Sequence, residues 1–412
     1  MSDEEYVAAG DIAEEVELDN DMEMEPEFDE NEVENEVEID GENDIENADL
    51  DDLDDTIEID MSNNSWTYFD QHKDSVFTVF AHPSLPMVVS GGGDNTAYMW
   101  TTHTQPPRFV GELSGHSESV VAGAFSGDGS FVVTGDMDGY VQVHRSSKGG
   151  QKWSRIAQLH EVDEVLWVCV HPRLPYFAFG APDGSVWVYN VDGQSVEQQM
   201  SGFVHTMECN AGVFQDTPSE DVLSLVTVAE DGTVVQWNGY TGAVLHKWAH
   251  DDFRGVDSPW VSLKAHENVV AVGGRDGHLA VLNLATGKVV HHAKTMDKDD
   301  VAELSIEALA WGPGLLAVGL VSGDVLVFDA ALWRLRRTIH VPDAVTRLEF
   351  VAGSPVLVAS CMDGKIYQWD ARTGAEGFVG VGHNMGVLDF AISQDKIVTA
   401  GDEGVCLVYK PE

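Results

Sequence analysis

Hydrophobic and polar positions alternate in short runs along the chain from about residue 63 onward. The runs are rich in Val, Phe, Tyr and Trp, and they are separated by Gly, Asp-Gly and His-containing turns. A period of two over about four to eight residues is typical of β-strands, whereas a helix needs apolar positions three or four apart. The pattern therefore predicts an all-β domain built of many short strands.

A segment in which a tight turn is followed by a strand recurs along this region; GGGDNTAYMW, VAEDGTVVQW and SCMDGKIYQW are examples. Its strands end at Trp100, His144, Tyr189, Trp237, Leu282, Phe328, Trp369 and Tyr409, so successive ends lie 40 to 48 residues apart. That spacing is close to the period of about 40–45 residues of a four-stranded propeller blade. We expect a β-propeller with eight blades, and a seven-bladed ring with one irregular insertion is the alternative.

The ring of such a fold has to close, because a single blade leaves two sheet faces uncovered. The segment SWTYFD, residues 65–70, precedes the first His-containing turn at the place where later blades have their outermost strand. We expect residues 65–70 to pair with residues 387–410, which would remove two exposed strand edges. The propeller domain is then residues 63–412.

The chain before the propeller has a different composition. Residues 1–60 contain 29 Asp and Glu and no Lys or Arg. Such a segment buries too little apolar surface to offset a backbone ordering cost of about 1–2 kcal/mol per residue. We expect residues 1–62 to form a disordered acidic tail, which either keeps the protein soluble or provides a landing site for basic ligands.

Charge limits the class of partner. The whole chain has a net charge of −49, and removing the 29 acids of residues 1–60 still leaves 42 acids against 22 bases, a net charge of −20. Like charges repel, so neither nucleic acid nor an anionic membrane is expected to bind directly. A basic protein is the expected partner of this chain, which we expect to be a monomer.

The four cysteines, Cys169, Cys209, Cys361 and Cys406, are scattered through apolar runs without metal-binding or disulfide-framework spacing. They are typical of reduced thiols in the cytoplasm or nucleus. Neither a signal peptide nor a membrane span is recognisable. The expected location is therefore the cytoplasm, with the nucleus as the alternative.

Candidate catalytic residues are few. His, Asp and Ser recur with the blade period, which is expected of structural hydrogen bonds and not of a single active site. The sequence contains no nucleophile elbow, phosphate-binding loop or zinc motif. We therefore expect no enzyme activity, no cofactor and no metal.

The turns HKDSV, GHSES and GHNMG and the triplet Gln368-Trp369-Asp370 resemble WD repeats over about 350 residues. The resemblance implies that a turn His, a strand Ser or Thr, a turn Asp and a strand Trp form a buried hydrogen-bonded tetrad. Blade 1 contains all four residues, and other blades contain partial or substituted sets. The implied sets are His72, Ser90, Asp94 and Trp100; His116, Thr134, Asp138 and His144; His205, Thr227, Asp231 and Trp237; Asp363 and Trp369; and His383, Thr399, Glu403 and Tyr409.

In WD propellers, the turn before the first strand of each blade and the turn between its second and third strands lie on one face, around the central channel. At these positions the sequence is rich in acids, and Asp136 is one of them. Local hydrogen bonding explains Asp in turns, but Glu is a poor turn former, so we predict a functional acidic face that binds a short Lys/Arg-rich peptide. Its predicted residues are Asp74, Glu118, Asp163, Glu164, Glu208, Glu230, Asp257, Glu303, Glu307, Asp343, Asp402 and Glu403.

Together with the acidic tail, the segments GGGDNTAYMW, VTGDMDGYVQVH and HPRLPYFAFGAPDGSVWVYNVDG resemble the dedicated chaperones of ribosomal protein L ten, which are related to the angio-associated migratory cell protein. This resemblance implies that the acidic face captures the basic N-terminus of the newly made ribosomal protein. The chaperone would then support assembly of the large ribosomal subunit, which it contacts only indirectly.

Two other functions fit the same features. The string Trp369-Asp370-Ala371-Arg372 matches the short W-D-x-R pattern of ubiquitin-ligase adaptors, and the fold also serves as a scaffold in migration signalling. A histone chaperone would likewise need an acidic propeller and tail. These alternatives stay open at the level of sequence.

Overall fold

The computed structural model describes residues 62–217, 219–298 and 300–411. The expectations for residues 1–61, including disorder of the acidic tail, lie outside the described residues. The described part consists of β-strands and a single 3₁₀ turn, Ala302–Leu304. Strands form here because runs of β-branched and aromatic residues are separated by short turn sequences, and the inner strands of each blade bury these side chains against the neighbouring sheets.

Eight sheets of four antiparallel strands make up the domain, which confirms the all-β prediction and the count of eight blades. Blades 1 to 4 consist of β2 (Val76–Ala81), β3 (Met87–Gly92), β4 (Ala97–Thr101) and β5 (Phe109–Leu113); β6 (Val120–Phe125), β7 (Phe131–Asp136), β8 (Tyr140–Ser147) and β9 (Lys152–His160); β10 (Trp167–Val170), β11 (Tyr176–Gly180), β12 (Val186–Asp192) and β13 (Ser195–Gly202); and β14 (Ala211–Phe214), β15 (Ser224–Val228), β16 (Val234–Asn238) and β17 (Val244–Trp248).

Blades 5 to 8 consist of β18 (Trp260–His266), β19 (Val269–Gly274), β20 (His278–Asn283) and β21 (Lys288–Lys294); β22 (Ile306–Gly312), β23 (Leu315–Leu320), β24 (Asp324–Asp329) and β25 (Leu335–His340); β26 (Val345–Phe350), β27 (Val356–Cys361), β28 (Ile366–Asp370) and β29 (Ala375–Gly380); and β30 (Val387–Ser393), β31 (Lys396–Gly401), β32 (Cys406–Tyr409) and β1 (Thr67–Phe69).

The last blade joins the two ends of the described chain. Strand β1 pairs antiparallel with β32, with Thr67 opposite Val408 and Phe69 opposite Cys406. The ring of Phe69 also stacks on Trp100 of blade 1, with ring centroids 4.8 Å apart. This strand therefore completes the eighth sheet as its outermost strand and contacts the first blade.

The hydrophobic core lies between blades, not within them. One cluster of buried residues joins Val133 and Val143 of blade 2 to Phe177 and Tyr189 of blade 3, and similar clusters occupy the other junctions. The first strands of the eight blades contact one another in a closed circle around the axis. Each first strand is thus covered on both faces by neighbouring blades and on its outer edge by the second strand, so solvent reaches it mainly from the central channel.

Blade 1 holds the tetrad that the WD resemblance implies. His72 Nε2 lies 2.9 Å from Ser90 Oγ, and His72 Nδ1 lies 3.0 Å from Asp94 Oδ1. Trp100 Nε1 donates to the same Ser90 Oγ at 3.1 Å. Burial lowers the pKa of His72, although Asp94 opposes that shift, so a neutral ring is favoured at physiological pH.

In blade 2 the expected partner of the histidine was wrong. His116 Nδ1 bonds Asp136 at 2.8 Å, whereas Asp138 accepts a hydrogen bond from Ser117. Asp136 is fully buried, so it also does not belong to the exposed acids of the turns. The two aspartates are two residues apart in one turn, and only Asp136 ends a strand that faces the ring of His116.

Other blades vary the same scheme. In blade 4, Thr233 lies between the histidine and the acid: its Oγ1 is 2.7 Å from His205 Nδ1 and 2.6 Å from Asp231 Oδ1. In blade 8, His383 Nδ1 lies 2.5 Å from Glu403 Oε1. These bonds hold the turn before the first strand against the turn between the second and third strands.

Candidate functional site

The two sets of turns named above lie on the same side of the ring, which we call the loop face. Ser75 Oγ, before the first strand of blade 1, donates to Asp402 Oδ1 of blade 8 at 2.7 Å. Gly139, with a φ of +78°, lies so close to blade 3 that a Cβ there would stand 1.8 Å from Val162 O. Only glycine fits that approach. Neighbouring blades therefore present their turns side by side.

The predicted acids on the loop face fall into two groups. Eight are exposed: Asp74, Glu118, Asp163, Glu208, Asp257, Glu303, Glu307 and Asp343. The other four are partly buried: Glu164, Glu230, Asp402 and Glu403. The exposed set is distributed over blades 1 to 7, so negative charge surrounds the channel instead of forming one local patch.

Several of these carboxylates already have a partner within the protein. Glu403 bonds His383 and belongs to the framework of blade 8, which is a correction to its placement among the free acids of the face. Glu230 pairs with Arg275 at 2.9 Å, and Asp257 lies 2.7 Å from His250 Nδ1. Asp402 accepts the hydrogen bond from Ser75. These acids contribute less to a ligand site than the others.

Other face acids contact only their immediate chain neighbours in the hydrogen bonds that the structure gives. Glu118 accepts from the backbone and hydroxyl of Ser119, Asp343 accepts from Ala344 N at 2.7 Å, and Glu307 accepts from Ser305 Oγ at 2.5 Å. Such local bonds fix the direction of one oxygen and leave the rest of the carboxylate open to a cation.

Lys298 was missed by the sequence reasoning. Its ammonium lies 3.3 Å from Glu303 and 3.0 Å from Asp324, so it neutralises part of blade 6. Because Lys298 lies in the long connection between β21 and β22, no repeat position revealed it. Lys73, Arg254 and Arg275 are further bases in the loop-face turns, where acids outnumber bases.

Exposed apolar side chains on the loop face were missed as well. Met137, Phe203, Met207 and Met385 lie in the same two sets of turns and are 43%, 67%, 51% and 49% exposed. Phe77, at the start of the first strand of blade 1, is 36% exposed. The position of these residues, before the first strand or after the second, could have indicated an apolar surface, but only charged residues were considered in these turns at the level of sequence.

Two further features bear on chemistry. Within the described residues no group of three or more His, Cys, Asp or Glu side chains is placed to hold a metal ion. Within the same ranges, no helix has the length and apolar character needed to cross a bilayer. The arrangement on the loop face suits the binding of a cationic, extended segment.

The fold and the His–Ser/Thr–Trp hydrogen bonds define a WD-repeat propeller. A family model described as "WD domain, G-beta repeat" matches residues 63–101, 107–145 and 333–370. Each match begins with the outermost strand of one blade, β1, β5 or β25, and continues through the first three strands of the next blade, which is blade 1, 2 or 7.

Among characterised proteins, the ribosome assembly protein SQT1 of Saccharomyces cerevisiae is 45% identical over 398 residues, which cover 90% of this chain and 92% of that protein. The chain therefore belongs to the SQT1 family. The crystal structure of that yeast protein superposes with a TM-score of 0.82 over 85% of this chain and 100% of its own.

Two more distant relatives add context. The crystal structure of Chaetomium thermophilum Sqt1 bound to the N-terminus of ribosomal protein L10 is 30% identical, with a TM-score of 0.76 over 85% of this chain and 100% of that chain. Human angio-associated migratory cell protein is 29% identical over 366 residues, which cover 84% of this chain and 80% of that protein.

Proposed function

We propose that this chain is a dedicated chaperone that binds the basic N-terminal segment of newly made ribosomal protein L10 on its loop face. In this way it supports assembly of the large ribosomal subunit. The observation that carries the proposal is the ring of exposed carboxylates around the channel. A family relative whose structure holds the L10 N-terminus supports the choice of client.

The binding energy comes from several weak interactions that converge. An exposed ion pair contributes only about 0.2–1 kcal/mol, because water screens the charges and the long side chains lose rotamer freedom. Carboxylates on six blades, 1 to 4, 6 and 7, nevertheless act together on one cationic segment and can raise its association rate about 10-fold or more. The available groups are Asp74, Glu118, Asp163, Glu164, Glu208, Glu307 and Asp343.

The charge also explains what a chaperone of this kind would do. Arginine and lysine side chains that lie against carboxylates cannot contact RNA phosphates at the same time. On the ribosome, the denser negative charge of ribosomal RNA would displace the chaperone. The proposed cycle is binding and release without a catalytic step, performed by a monomer in the cytoplasm or nucleus.

Co-expression with full-length L10 tests the proposal. We expect a soluble complex of one chain with one L10 molecule, and we expect no complex when the N-terminal segment of L10 is deleted. L10 that stays insoluble, or binding that is unaffected by the deletion, would contradict the proposal. Repeating the measurement without residues 1–61 tells whether the acidic tail takes part.

The two alternative functions, histone chaperone and ubiquitin-ligase adaptor, predict different co-purifying proteins. Affinity purification followed by mass spectrometry would recover histones from a histone chaperone and ligase subunits from an adaptor. Arg372, the arginine of the W-D-x-R string, pairs with Asp370 in the turn after the third strand of blade 7, on the side opposite the loop face. Substituting Arg372→Ala should therefore leave L10 binding unchanged.

A further inference from the structure

Each first strand begins with one extra residue at the loop face. In six blades the pairing of the first and second strands skips one residue, as between Val76 and Thr78 or between Val387 and Asp389. In blade 3, Leu166 N donates to Gly180 O while Trp167 is already the partner of Gly180. Asn210 and Ala211 share Val228 of blade 4 in the same way.

These bulges turn one side chain of each blade toward solvent. Val76 and Thr78 are 0% and 8% exposed, whereas Phe77 between them is 36% exposed. A β-bulge places two residues opposite one and redirects the extra side chain. Because neighbouring blades and the second strand cover the rest of the first strand, the redirected side chains line the mouth of the central channel.

The eight mouth residues differ in character around the ring. In the order of blades 1 to 8 they are Phe77, Val121, Leu166, Asn210, Val261, Glu307, Thr346 and Leu388. Leu388, Phe77, Val121 and Leu166 come from blades 8, 1, 2 and 3, which are neighbours because the ring is closed. We call these four residues the apolar arc; three of the four residues opposite them are polar.

The same asymmetry continues further along the first strands. Arg347 of blade 7 bonds Asp389 of blade 8 at 2.6 Å and Glu349 of its own strand at 3.5 Å. Blade 1 has Phe80 at the position that corresponds to Glu349, and Phe80 packs on Phe125 of blade 2. Below the mouth, a charged pair therefore joins blades 7 and 8, whereas blades 1 and 2 pack aromatic rings against each other.

Exposed apolar residues also lie in the turns around the mouth, on blades 2, 4, 6 and 8. The large hydrophobic side chains exposed in the loop-face turns are Met137, Phe203, Met207, Val301 and Met385. Apolar exposure among polar residues marks a binding surface, and methionine adapts its shape to different ligand side chains. A purely cationic ligand would leave all of this surface in water.

We propose that the apolar arc receives a large aliphatic or aromatic side chain of the same N-terminal segment of L10, while Glu307 across the mouth holds a neighbouring Lys or Arg. This inference rests on the proposed function. The client sequence would then be recognised by the spacing of an apolar residue and its basic neighbours, and not by net charge alone. An inserted side chain would also fix the register of the extended peptide across the face.

Substitution on both partners tests the proposal. The protein variants are Phe77→Ser and, independently, Leu388→Ser, with Phe109→Ser as the matched control. Phe109 is 51% exposed on the outer strand β5, away from the mouth. The ligands are the L10 N-terminal peptide and the same peptide with its aliphatic and aromatic residues replaced by Ser, so that both carry the same charge.

Calorimetric titration should give at least about 10-fold weaker binding of the natural peptide to Phe77→Ser and Leu388→Ser, with no change for Phe109→Ser. The serine peptide should bind the unsubstituted protein at least about 10-fold more weakly, and it should no longer distinguish that protein from Phe77→Ser. Burial of apolar surface also predicts a negative heat-capacity change for the natural peptide only. Thermal unfolding of each variant shows whether the fold is retained.

Equal affinities of the two peptides for the unsubstituted protein would overturn the inference, and this comparison does not depend on how any variant folds. The proposed function would still hold in that case if the natural peptide binds and charge reversal on the loop face abolishes its binding. If neither peptide binds, the proposed function is wrong, and this inference is wrong with it.

Discussion

Carboxylates that bond the buried turn histidines, which we call framework acids, and carboxylates exposed on the loop face differ in how many hydrogen-bond donors surround them. Asp136 is fully buried and accepts from His116 Nδ1 at 2.8 Å, Tyr140 N at 2.8 Å and Asp138 N at 3.1 Å. Glu118, one turn away, is exposed and accepts only from its neighbour Ser119 in the hydrogen bonds that the structure gives. The first type holds turns together, and the second type is available to a ligand.

The comparison explains why acid content alone does not define the site. Burial without donors would raise the pKa of Asp231, but the His205 ring, 3.9 Å away, and hydrogen bonds from Thr233 and Thr206 outweigh that cost and hold the pKa well below its usual range. Such a carboxylate is charged, but its hydrogen-bonding capacity is already used by donors within the protein. A ligand gains most from carboxylates whose hydrogen-bonding capacity is still open to solvent.

Reversing charge on the loop face should have the largest effect. The triple variant Glu118→Lys, Glu164→Lys and Glu307→Lys removes three attractions and adds three repulsions, so affinity for the L10 peptide should fall about 1000-fold, or about 4 kcal/mol. Calorimetry or fluorescence anisotropy measures this change.

The control reverses the same number of charges on outer strands, at Glu112, Glu197 and Glu376, which are exposed but lie away from the channel. This variant should bind within about threefold of the original protein, because exposed charges separated by more than about 10 Å are largely screened. Equal losses in the two triple variants would mean that only net charge matters.

Exchanging the framework acid should change stability and not binding. Asp136→Ala leaves the buried His116 ring and three backbone N–H groups without their acceptor, so we expect a loss of about 3 kcal/mol in the free energy of unfolding. Asp138→Ala removes one exposed hydrogen bond and should cost less than about 1 kcal/mol. Chemical denaturation of both variants compares them, and the reverse order would refute the assignment of Asp136.

The pH dependence of blade 2 tests the framework in another way. Burial, with help from His116 and Arg155, lowers the pKa of His144 to about 4. The unfolded chain therefore takes up this proton at higher pH than the folded chain does. Stability is full above the unfolded pKa near 6.5 and decreases as pH falls toward 4, by about 2 kcal/mol between pH 7 and pH 4.5.

Substituting His144→Phe removes the titrating ring from this position, which Trp100 fills in blade 1. The difference in unfolding free energy between His144→Phe and the original protein should therefore change with pH over that range. Carboxylates that titrate in both proteins cancel in the difference. A difference that stays constant from pH 7 to pH 4.5 would show that His144 does not titrate as described.

The smallest expected effect concerns an acid that is neutralised within the protein. Arg275→Ala frees Glu230 from its ion pair and removes a cation from the loop face. Affinity for the basic peptide should rise about two- to fivefold, in keeping with the modest strength of exposed pairs. Arg173→Ala, which breaks an exposed pair with Asp216 on the opposite face, should leave affinity unchanged. A weaker complex with Arg275→Ala would show that Arg275 itself contacts the client.

The architecture could be predicted from sequence because each blade repeats the same turn and strand. The period gave eight blades, since every strand end from Trp100 to Tyr409 carries a large side chain that is buried in the structure. Individual partners could not be predicted in the same way. Asp136 and Asp138 have the same side chain in one turn, and only packing decides which of them reaches His116.

The burial and bonding partners of side chains on the loop face also could not be predicted from the sequence pattern. The sequence placed Glu403 and Glu118 in equivalent surroundings, yet one bonds a buried histidine and the other is open to solvent. Alternation along a strand likewise gave no sign of the bulges, because Phe77 reads as one more apolar residue of β2. The extra residue becomes visible only when the two strands are paired.

The most direct test of the central claim is the affinity of the unsubstituted protein for the L10 N-terminal peptide as a function of salt. If carboxylates around the channel mouth provide the attraction, raising NaCl from about 50 mM to about 300 mM should weaken binding at least about 10-fold, because added salt shortens the screening length and weakens attraction between exposed charges. Affinity that stays constant over this range would contradict the account.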